Sequence, residues 1–309
     1  MMKKKIVVFG SFIADLMART PHLPVPGETV KGESFKIGPG GKGSNQAIAA
    51  KRAGGDVTFI SKIGKDVFGQ LALETYKKEK MDTKYMFEDK QLSTGTALIT
   101  VDSNTSENEI VVISGACGNI TDTEIEMVTE EIKNCDIFVT QLETNKDALE
   151  KVISIASENN IQVVLNPAPV QLISDSILKL IDIITPNEVE AGEFTGVKIK
   201  TMEDVKKAAC ILQQKGIDNV VITLGSKGVY VKTLKKDEFI KAYRVKAVDT
   251  TGAGDAFNGG FVAALSHGKD IFEATKYGNA VAALSVTKLG TAPSMPYMED
   301  IEKFMRENS

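Results

Sequence analysis

Short runs of β-branched residues alternate with amphipathic stretches along most of this 309-residue chain. Residues 5–10, 57–60, 137–139, 162–165, 183–185 and 220–223 read as strands, and residues 44–53, 68–79, 147–158, 188–194 and 202–215 as helices. Gly216 suits a helix end just before the next strand. A strand that follows a helical crossover lies parallel to the strand before it, and a parallel sheet needs cover on both faces. The pattern therefore predicts an α/β fold, a central mostly parallel sheet flanked by helices, as one domain over residues 1–309. Residues 28–37 and 94–113 break the alternation, being rich in β-branched residues with no helix between strands. They predict a small antiparallel β lid, formed by segments near 12–38 and 94–113. Its exposed edges and single apolar face suit a contact between two copies, so a homodimer through the lid is expected.

Composition narrows the function by exclusion. With 42% apolar and 25% charged residues, the chain has the balance of an ordinary globular protein. A formal net charge of -4 gives no basic footprint for nucleic acid or an anionic membrane, so neither is expected as a partner. The basic start, from Met1 to Lys5, precedes an apolar run too short for a secretion signal, and no stretch is long and apolar enough to span a bilayer. A cytoplasmic location is expected. Cys117, Cys135 and Cys210 lack metal or disulfide spacing and read as reduced, buried thiols. His22 and His267 have no partner at ligand spacing, which argues against a zinc site or a Ser-His-Asp triad and leaves carboxylates to do the chemistry.

Three glycine clusters mark candidate sites. Asp249, Thr250, Thr251, Gly252, Ala253, Gly254 and Asp255 run directly into a helical pattern over 256–265. Small residues before a helix leave backbone N–H groups converging on one point, a place for an anion or a transferring phosphoryl group. Asp255, in the first turn, can accept the proton of an attacking hydroxyl; the plainer reading is a tight turn with an aspartate cap. In Gly38, Pro39, Gly40, Gly41, Lys42, Gly43, Ser44 and Asn45, the Walker pattern is not matched. Here Gly40 and Gly41 remove side chains that would block a ligand, and Asn45 offers both a donor and an acceptor for vicinal hydroxyls; a flexible surface loop is the alternative. Thr223, Leu224, Gly225, Ser226, Lys227 and Gly228 form a turn after a strand, where an open α/β sheet can meet nucleotide phosphates. Asn187, in Thr185-Pro186-Asn187-Glu188, equally reads as a helix cap.

Taken together, Gly40 to Gln46, Asn166-Pro167-Ala168-Pro169, Thr185-Pro186-Asn187-Glu188 and Asp249 to Asp255 resemble, in order and across nearly the whole chain, the ribokinase and deoxyribokinase branch of the PfkB carbohydrate kinase superfamily. The resemblance implies a ribokinase-like fold and an ATP-dependent sugar kinase acting on a terminal hydroxymethyl group. It implies Asp255 as base, with Gly252, Ala253 and Gly254 as the anion hole. Asp15, beside Ile13 and Ala14, would grip sugar hydroxyls with Gly41, Lys42, Gly43, Asn45 and Glu143. Asn187, Thr223, Gly225, Ser226, Gly228, Gly254 and Asn279 would contact ATP. Asp249, Thr251, Ser285, Lys288, Gly290 and Ser294 would surround a monovalent cation, potassium or similar, and Glu190 would lie near the magnesium that accompanies ATP.

Two positions depart from the family pattern. Ile13 stands where ribokinases carry asparagine, and Asn279 where a histidine often sits near the adenine. Isoleucine cannot hydrogen-bond a sugar C2 hydroxyl, a loss on the order of 1 to 3 kcal/mol if buried, so 2-deoxyribose is expected over ribose, as a preference and not an exclusion. The competing reading of Ile13 is simple packing beneath the pocket, with ribose preferred. The rivals to a pentose kinase are a kinase of another sugar or a nucleoside, and a non-catalytic sugar sensor on the same scaffold.

Overall fold

The computed structural model describes residues 3–105 and 107–308; Met1 and Met2 of the basic start, with Ser106 and Ser309, lie outside these. The chain opens with β1 (Lys5–Phe9), passes into a second sheet with β2 (Ile13–Thr20) and β3 (Ser34–Gly40), and returns through α1 (Lys42–Arg52) to β4 (Asp56–Gly64). Helix α2 (Val67–Lys78) leads to β5 (Met86–Asp89), after which β6 (Gly95–Asp102) and β7 (Asn108–Ile113) complete the second sheet. A regular alternation follows: α3 (Asp122–Lys133), β8 (Ile137–Thr140), α4 (Lys146–Glu158), β9 (Gln162–Leu165), the short α5 (Asp175–Leu178), β10 (Ile183–Ile184), α6 (Glu188–Thr195), α7 (Met202–Gln214) and β11 (Asn219–Thr223). A hairpin of β12 (Gly228–Lys232) and β13 (Asp237–Lys241) precedes α8 (Ala253–Ser266), α9 (Ile271–Ser285) and α10 (Met298–Glu307).

The main sheet has the order β13-β12-β11-β10-β9-β8-β1-β4-β5. Its pairs are parallel from β11 to β5, and the β12–β13 hairpin adds an antiparallel edge. Alternation along β1 divides the core. Ile6 and Val8 pack with Ile48 of α1, Phe261 of α8 and Val281 of α9, while Val7 and Phe9 pack with Val128 of α3, Val152 of α4 and Leu212 of α7. Full burial of each such side chain contributes about 1.5–3 kcal/mol. Helix starts are fixed locally: Asp66 accepts the Phe68 and Gly69 N–H groups at α2, and Thr121, Thr201 and Asp270 form capping boxes at α3, α7 and α9.

The second sheet has the order β3-β2-β6-β7. It consists of two antiparallel pairs, β2–β3 and β6–β7, joined by a parallel seam between β2 and β6. The seam is parallel because β4, α2 and β5 intervene, a crossover long enough to bring the chain back in the same direction. The β3 strand begins at Ser34, later than the expected residue 28. Cys117 and Cys135 are buried as expected, but Cys210 is exposed. On α7 the core-facing positions are Val205, Ala208, Ala209 and Leu212, which turns Cys210 to the outer side.

Helix α8 approaches α1 through Gly259, where an added Cβ would stand 2.7 Å from both Ala50 N and Gln46 O. Gly259→Ala is therefore expected to destabilise the protein by about 1–3 kcal/mol through overpacking, read from the urea midpoint. An unchanged midpoint would mean that the α1–α8 contact is looser than described.

Candidate active site

The parallel strands end on a common rim, and the residues singled out in the sequence gather there. The chain leaves β1 toward β4 on one side and builds β8, β9, β10 and β11 on the other, so the strand order reverses between β1 and β8. That crevice is where open α/β sheets bind ligands. It is bridged directly: the Ser11 hydroxyl, after β1, and the Lys42 N–H at 2.8 Å both donate to Glu143 Oε2, after β8. Gly43 permits this closure, since a Cβ there would stand 2.6 Å from Ser11 N.

Asp255 occupies the third position of α8 and is 7% exposed. Its carboxylate is held from α1: Asn45 Nδ2 donates to Oδ2 and Gln46 Nε2 to Oδ1, each at 3.0 Å. The helix itself starts on Gly252, in the left-handed region at φ 75°, with no side-chain cap. Nothing lies within 4 Å of the place where a Cβ of Gly254 would stand. An uncapped helix start facing open space, with a carboxylate one residue on, is an arrangement that accepts an anion next to a proton acceptor. Asn258, one turn later, donates to the Gly254 carbonyl at 2.9 Å and accepts from the Thr185 hydroxyl at 2.6 Å, bracing that first turn against the end of β10.

Beside Asp255 lies a group of charges. Burial is the main force on Asp15, raising its carboxyl to about 6, with Glu143 and Asp255 adding to the rise and a hydrogen bond from Thr291 at 3.4 Å opposing it. Burial also raises Glu143, against the pull of Lys42 and Ser11. For Lys42 burial works against the charge, but Asp255, Glu143 and Glu190 outweigh it and hold the ammonium above its ordinary range. Gly40 is required here for a reason other than ligand access: a Cβ would run into the Asp15 carboxylate, which fills the space the sequence reading reserved for a ligand. Asn45 Oδ1, on the amide that holds Asp255, is buried without a hydrogen-bond partner. Ile13 shares the inner face of the lid with Asp15, is 3% exposed, and packs with Ala97, Ile99 and Cys117; Ala14, between them, is fully buried.

The remaining residues form two further groups. Asn187 and Thr223 meet in a parallel bridge, Gly228 pairs with Lys241, and Asn279 Nδ2 donates to the Lys241 carbonyl at 3.4 Å, so these four share one side of the rim with Gly225 and Ser226. Asn187 is also a helix cap, accepting the Val189 and Glu190 N–H groups, while Glu190 accepts from Asn187 N and Nδ2 in return. Asp249 gathers the other group: Thr251 N donates to Oδ1 and Gly290 N to Oδ2, each at 2.9 Å, and these bonds outweigh burial and hold its carboxyl below the ordinary range. Its own N–H reaches the Val286 carbonyl beside Ser285, whose carbonyl accepts the Lys288 N–H at 3.1 Å. Ser294 donates to the Thr291 carbonyl in the same loop. Among the described residues no three His, Cys, Asp or Glu side chains come together as a metal cage.

Several participants were given no role from the sequence: Ser11, Gln141, Asn258 and Thr291, and also Gln46 and Asn166, although both lie inside motifs that carry the family resemblance. Arg52 is another. It closes on Glu79 at 2.6 and 2.9 Å, donates to the Ala292 and Met295 carbonyls, and lies 4.8 Å over the Tyr297 ring, fastening the Thr291 loop to α1. Asp15 supplies a test of the electrostatics. Its carboxyl is raised above the unfolded value of 3.8, so the folded protein holds its charge at a cost that is full above pH 6 and vanishes below about pH 4. Asp15→Asn is expected to gain on the order of 1–3 kcal/mol of stability at pH 7, a gain that disappears as pH falls toward 4. Urea midpoints of both proteins across that range measure it; a less stable variant at pH 7 would contradict the assignment.

The geometry can be set beside known proteins. Residues 3–298 match the pfkB family carbohydrate kinase model. A ribokinase of Haemophilus influenzae is 44% identical over 304 residues, covering 98% of this chain and 99% of that one. A deoxyribokinase of Salmonella typhi is 36% identical over 304 residues, covering 98% and 99%. Among solved structures, the ribokinase of Thermotoga maritima superposes with a TM-score of 0.89 at 34% identity, covering 99% and 100% of the two chains. The Arabidopsis thaliana ribokinase complexed with ribose and ATP gives 0.90 at 28% identity, covering 99% of each. With its strand-end rim, uncapped α8 and nearly full-length family match, the chain belongs to the pfkB family of carbohydrate kinases.

Proposed function

We propose that this protein is an ATP-dependent pentose kinase that phosphorylates O5 of 2-deoxyribose in preference to ribose, with Asp255 as the general base. The observation that carries the reading is the Asp255 carboxylate, oriented by Asn45 and Gln46 beside the uncapped, open start of α8. The full-length likeness to ribokinases and a deoxyribokinase supports a pentose acceptor, and the ribose and ATP complex of the Arabidopsis relative supports both ligands. Asp255 takes the proton of O5 as that oxygen attacks the γ-phosphorus. The bond from phosphorus to the bridging oxygen breaks and its electron pair leaves with ADP. Backbone N–H groups at Gly252 and Gly254 face the charge of the transferring group, that of Ala253 donating instead to the Thr250 carbonyl at 3.2 Å, and Lys42 adds a neighbouring cation.

On the acceptor side, Asp15, Glu143 and the unpartnered Asn45 Oδ1 offer acceptors to sugar hydroxyls, within reach of Gly41 and Gly43 backbone. Ile13, beside Asp15, gives that wall a hydrocarbon surface, which leaves a C2 hydroxyl unsatisfied and favours the deoxy sugar. Asn187, Thr223, Gly225, Ser226, Gly228 and Asn279 line the nucleotide side. Glu190, whose carboxylate shares the field of Lys42 and Asp255, would be the α6 side chain to hold the magnesium that accompanies ATP, an ion that would supply charge neutralisation to the phosphates. A monovalent cation, potassium or similar, would be held at the Asp249 loop by the Asp249 carboxylate, kept ionised by the Thr251 and Gly290 N–H groups, with oxygens of Thr251, Ser285, Lys288, Gly290 and Ser294; such a charge would stiffen the approach to α8. The protein is read as cytoplasmic.

The assay is kcat/KM for 2-deoxyribose and ribose side by side, with ATP and magnesium and with potassium present or replaced. The parent is expected to favour 2-deoxyribose, and Ile13→Asn to move the preference toward ribose. Asp255→Asn is expected to lose about 10²–10⁴-fold in kcat while still binding sugar. Preference for ribose by the parent would remove the role given to Ile13, and full turnover by Asp255→Asn would remove the base.

The lid supports a homodimer. Its outer face carries Ile37, Leu16, Leu98 and Val111 in one cross-strand row, flanked by Phe35 and Ile113. Phe35 is 62% exposed and Val111 59%, a continuous apolar surface of the kind that marks an interface. Sedimentation is expected to give a dimer for the parent and a monomer for Leu98→Glu; a monomeric parent would refute the proposal.

A further inference from the structure

Gln46 is fully buried, and each of its polar atoms is committed. Nε2 donates to Asp255 Oδ1 and to Asn166 Oδ1, both at 3.0 Å, and Oε1 accepts from Gln141 Nε2 at 2.8 Å. Asn166 is fixed in turn by its bond to the Thr185 carbonyl at 3.0 Å. Gln141 follows β8 and Asn166 follows β9, so the sheet grips the amide from two neighbouring strand ends. Turning the Gln46 amide over would set its oxygen against those of Asp255 and Asn166 and its NH2 against that of Gln141. All three hydrogen bonds would be lost at a side chain that is fully buried from solvent. Asn45 differs: it holds Asp255 Oδ2 through Nδ2, but its Oδ1 is buried and unpartnered and remains available to a ligand.

We infer that Gln46, locked by Gln141 and Asn166, is the positioning residue that fixes the Asp255 carboxylate for proton transfer, while Asn45 divides its amide between Asp255 and the substrate. The inference rests on the reading of Asp255 as the base. A carboxylate gripped on one oxygen alone is free to rotate about its side-chain bonds, and reacting atoms displaced by about 1 Å can cost on the order of 10²-fold in rate. Loss of Gln46 therefore falls on kcat, whereas loss of Asn45 falls on sugar binding as well. The charged groups facing Asp255 are Lys42, Glu143, Asp15 and Glu190, and none of them replaces the missing donor, because the three carboxylates repel Asp255 and Lys42 makes no hydrogen bond to it among the described contacts.

The test compares the parent, Gln46→Ala, Gln46→Glu and Asp255→Asn for kcat, sugar KM and thermal midpoint between pH 5.5 and 8.5. Gln46→Ala is expected to lose roughly 30- to 100-fold in kcat with sugar KM changed less than about threefold. In Gln46→Glu a protonated carboxyl can donate its single O–H to Asp255, and once ionised it repels the base. This variant is expected to exceed Gln46→Ala at low pH and to lose kcat as pH rises, a limb absent from the parent and from the alanine variant. If Gln46→Ala fails to fold, the pH limb of Gln46→Glu still decides. Gln46→Ala within about threefold of the parent kcat, or a Gln46→Glu loss that is independent of pH and follows the thermal midpoint, would overturn the inference while Asp255→Asn stays inactive. Turnover by Asp255→Asn near the parent rate would remove the base itself, and the inference with it.

Discussion

Withdrawing a carboxylate from water costs several kcal/mol unless hydrogen bonds stand in for the solvent. Asp255, at 7% exposure, receives those bonds from two consecutive amides on a different helix. The dependence runs outward from there. Asn45 and Gln46 reach Asp255 only because α1 and α8 touch closely at Gly259. Helix α1 lies where it does because Ile48 and its alanines fill one face of the sheet against Ile6 and Val8. The Gln46 amide is oriented in turn by Gln141 and Asn166, which follow β8 and β9, so the sheet register reaches the Asp255 carboxylate through these side chains.

The charges around this point are arranged at a cost to the fold. Asp15, Glu143 and Asp255 crowd together with Lys42 as their nearby cation, and burial pushes Asp15 and Glu143 toward their neutral forms. Hydroxyl groups of a bound sugar would supply what the protein withholds. A pocket that is uncomfortable when empty holds part of its binding energy in the unliganded state, and the stabilisation removed from Asp15 is returned when a ligand donates to it.

How much of this was readable from the residues depends on the kind of signal each part leaves. Strands buried on both faces, such as residues 137–139 and 220–223, leave continuous apolar runs and were legible. The β5 segment, Met-Phe-Glu-Asp, and β13, Asp-Glu-Phe-Ile-Lys, are edge strands with polar residues, and no periodic pattern set them apart. The lid was legible as β-rich sequence, but its parallel seam depends on the intervening crossover and not on local composition. At the site, Asp255 and Asn45 announced themselves through glycine clusters. Gln141 and Asn258 did not, because they stand outside those clusters and meet partners far away in sequence, 95 residues apart for Gln141 and Gln46. Gln46 was marked only by its place in the Gly40 to Gln46 motif, next to Asn45, with no role attached. Gly40 was recognised as necessary but assigned to the wrong neighbour, since only the fold reveals that Asp15 lies against it.

The rim also separates its components along the chain. Ile13, Asp15, Lys42, Asn45 and Glu143 all precede residue 145, whereas Asn187, Thr223, Gly225, Asp255 and Asn279 all follow residue 185. The two sets meet where Asn45 and Gln46 reach over to Asp255 and where Thr291 donates to Asp15. On the roles proposed above, changes confined to the first 145 residues reshape the acceptor wall while the residues proposed for the nucleotide and for proton transfer stay as they are, so long as Asn45 and Gln46 keep their bonds to Asp255 and Thr291 keeps its bond to Asp15.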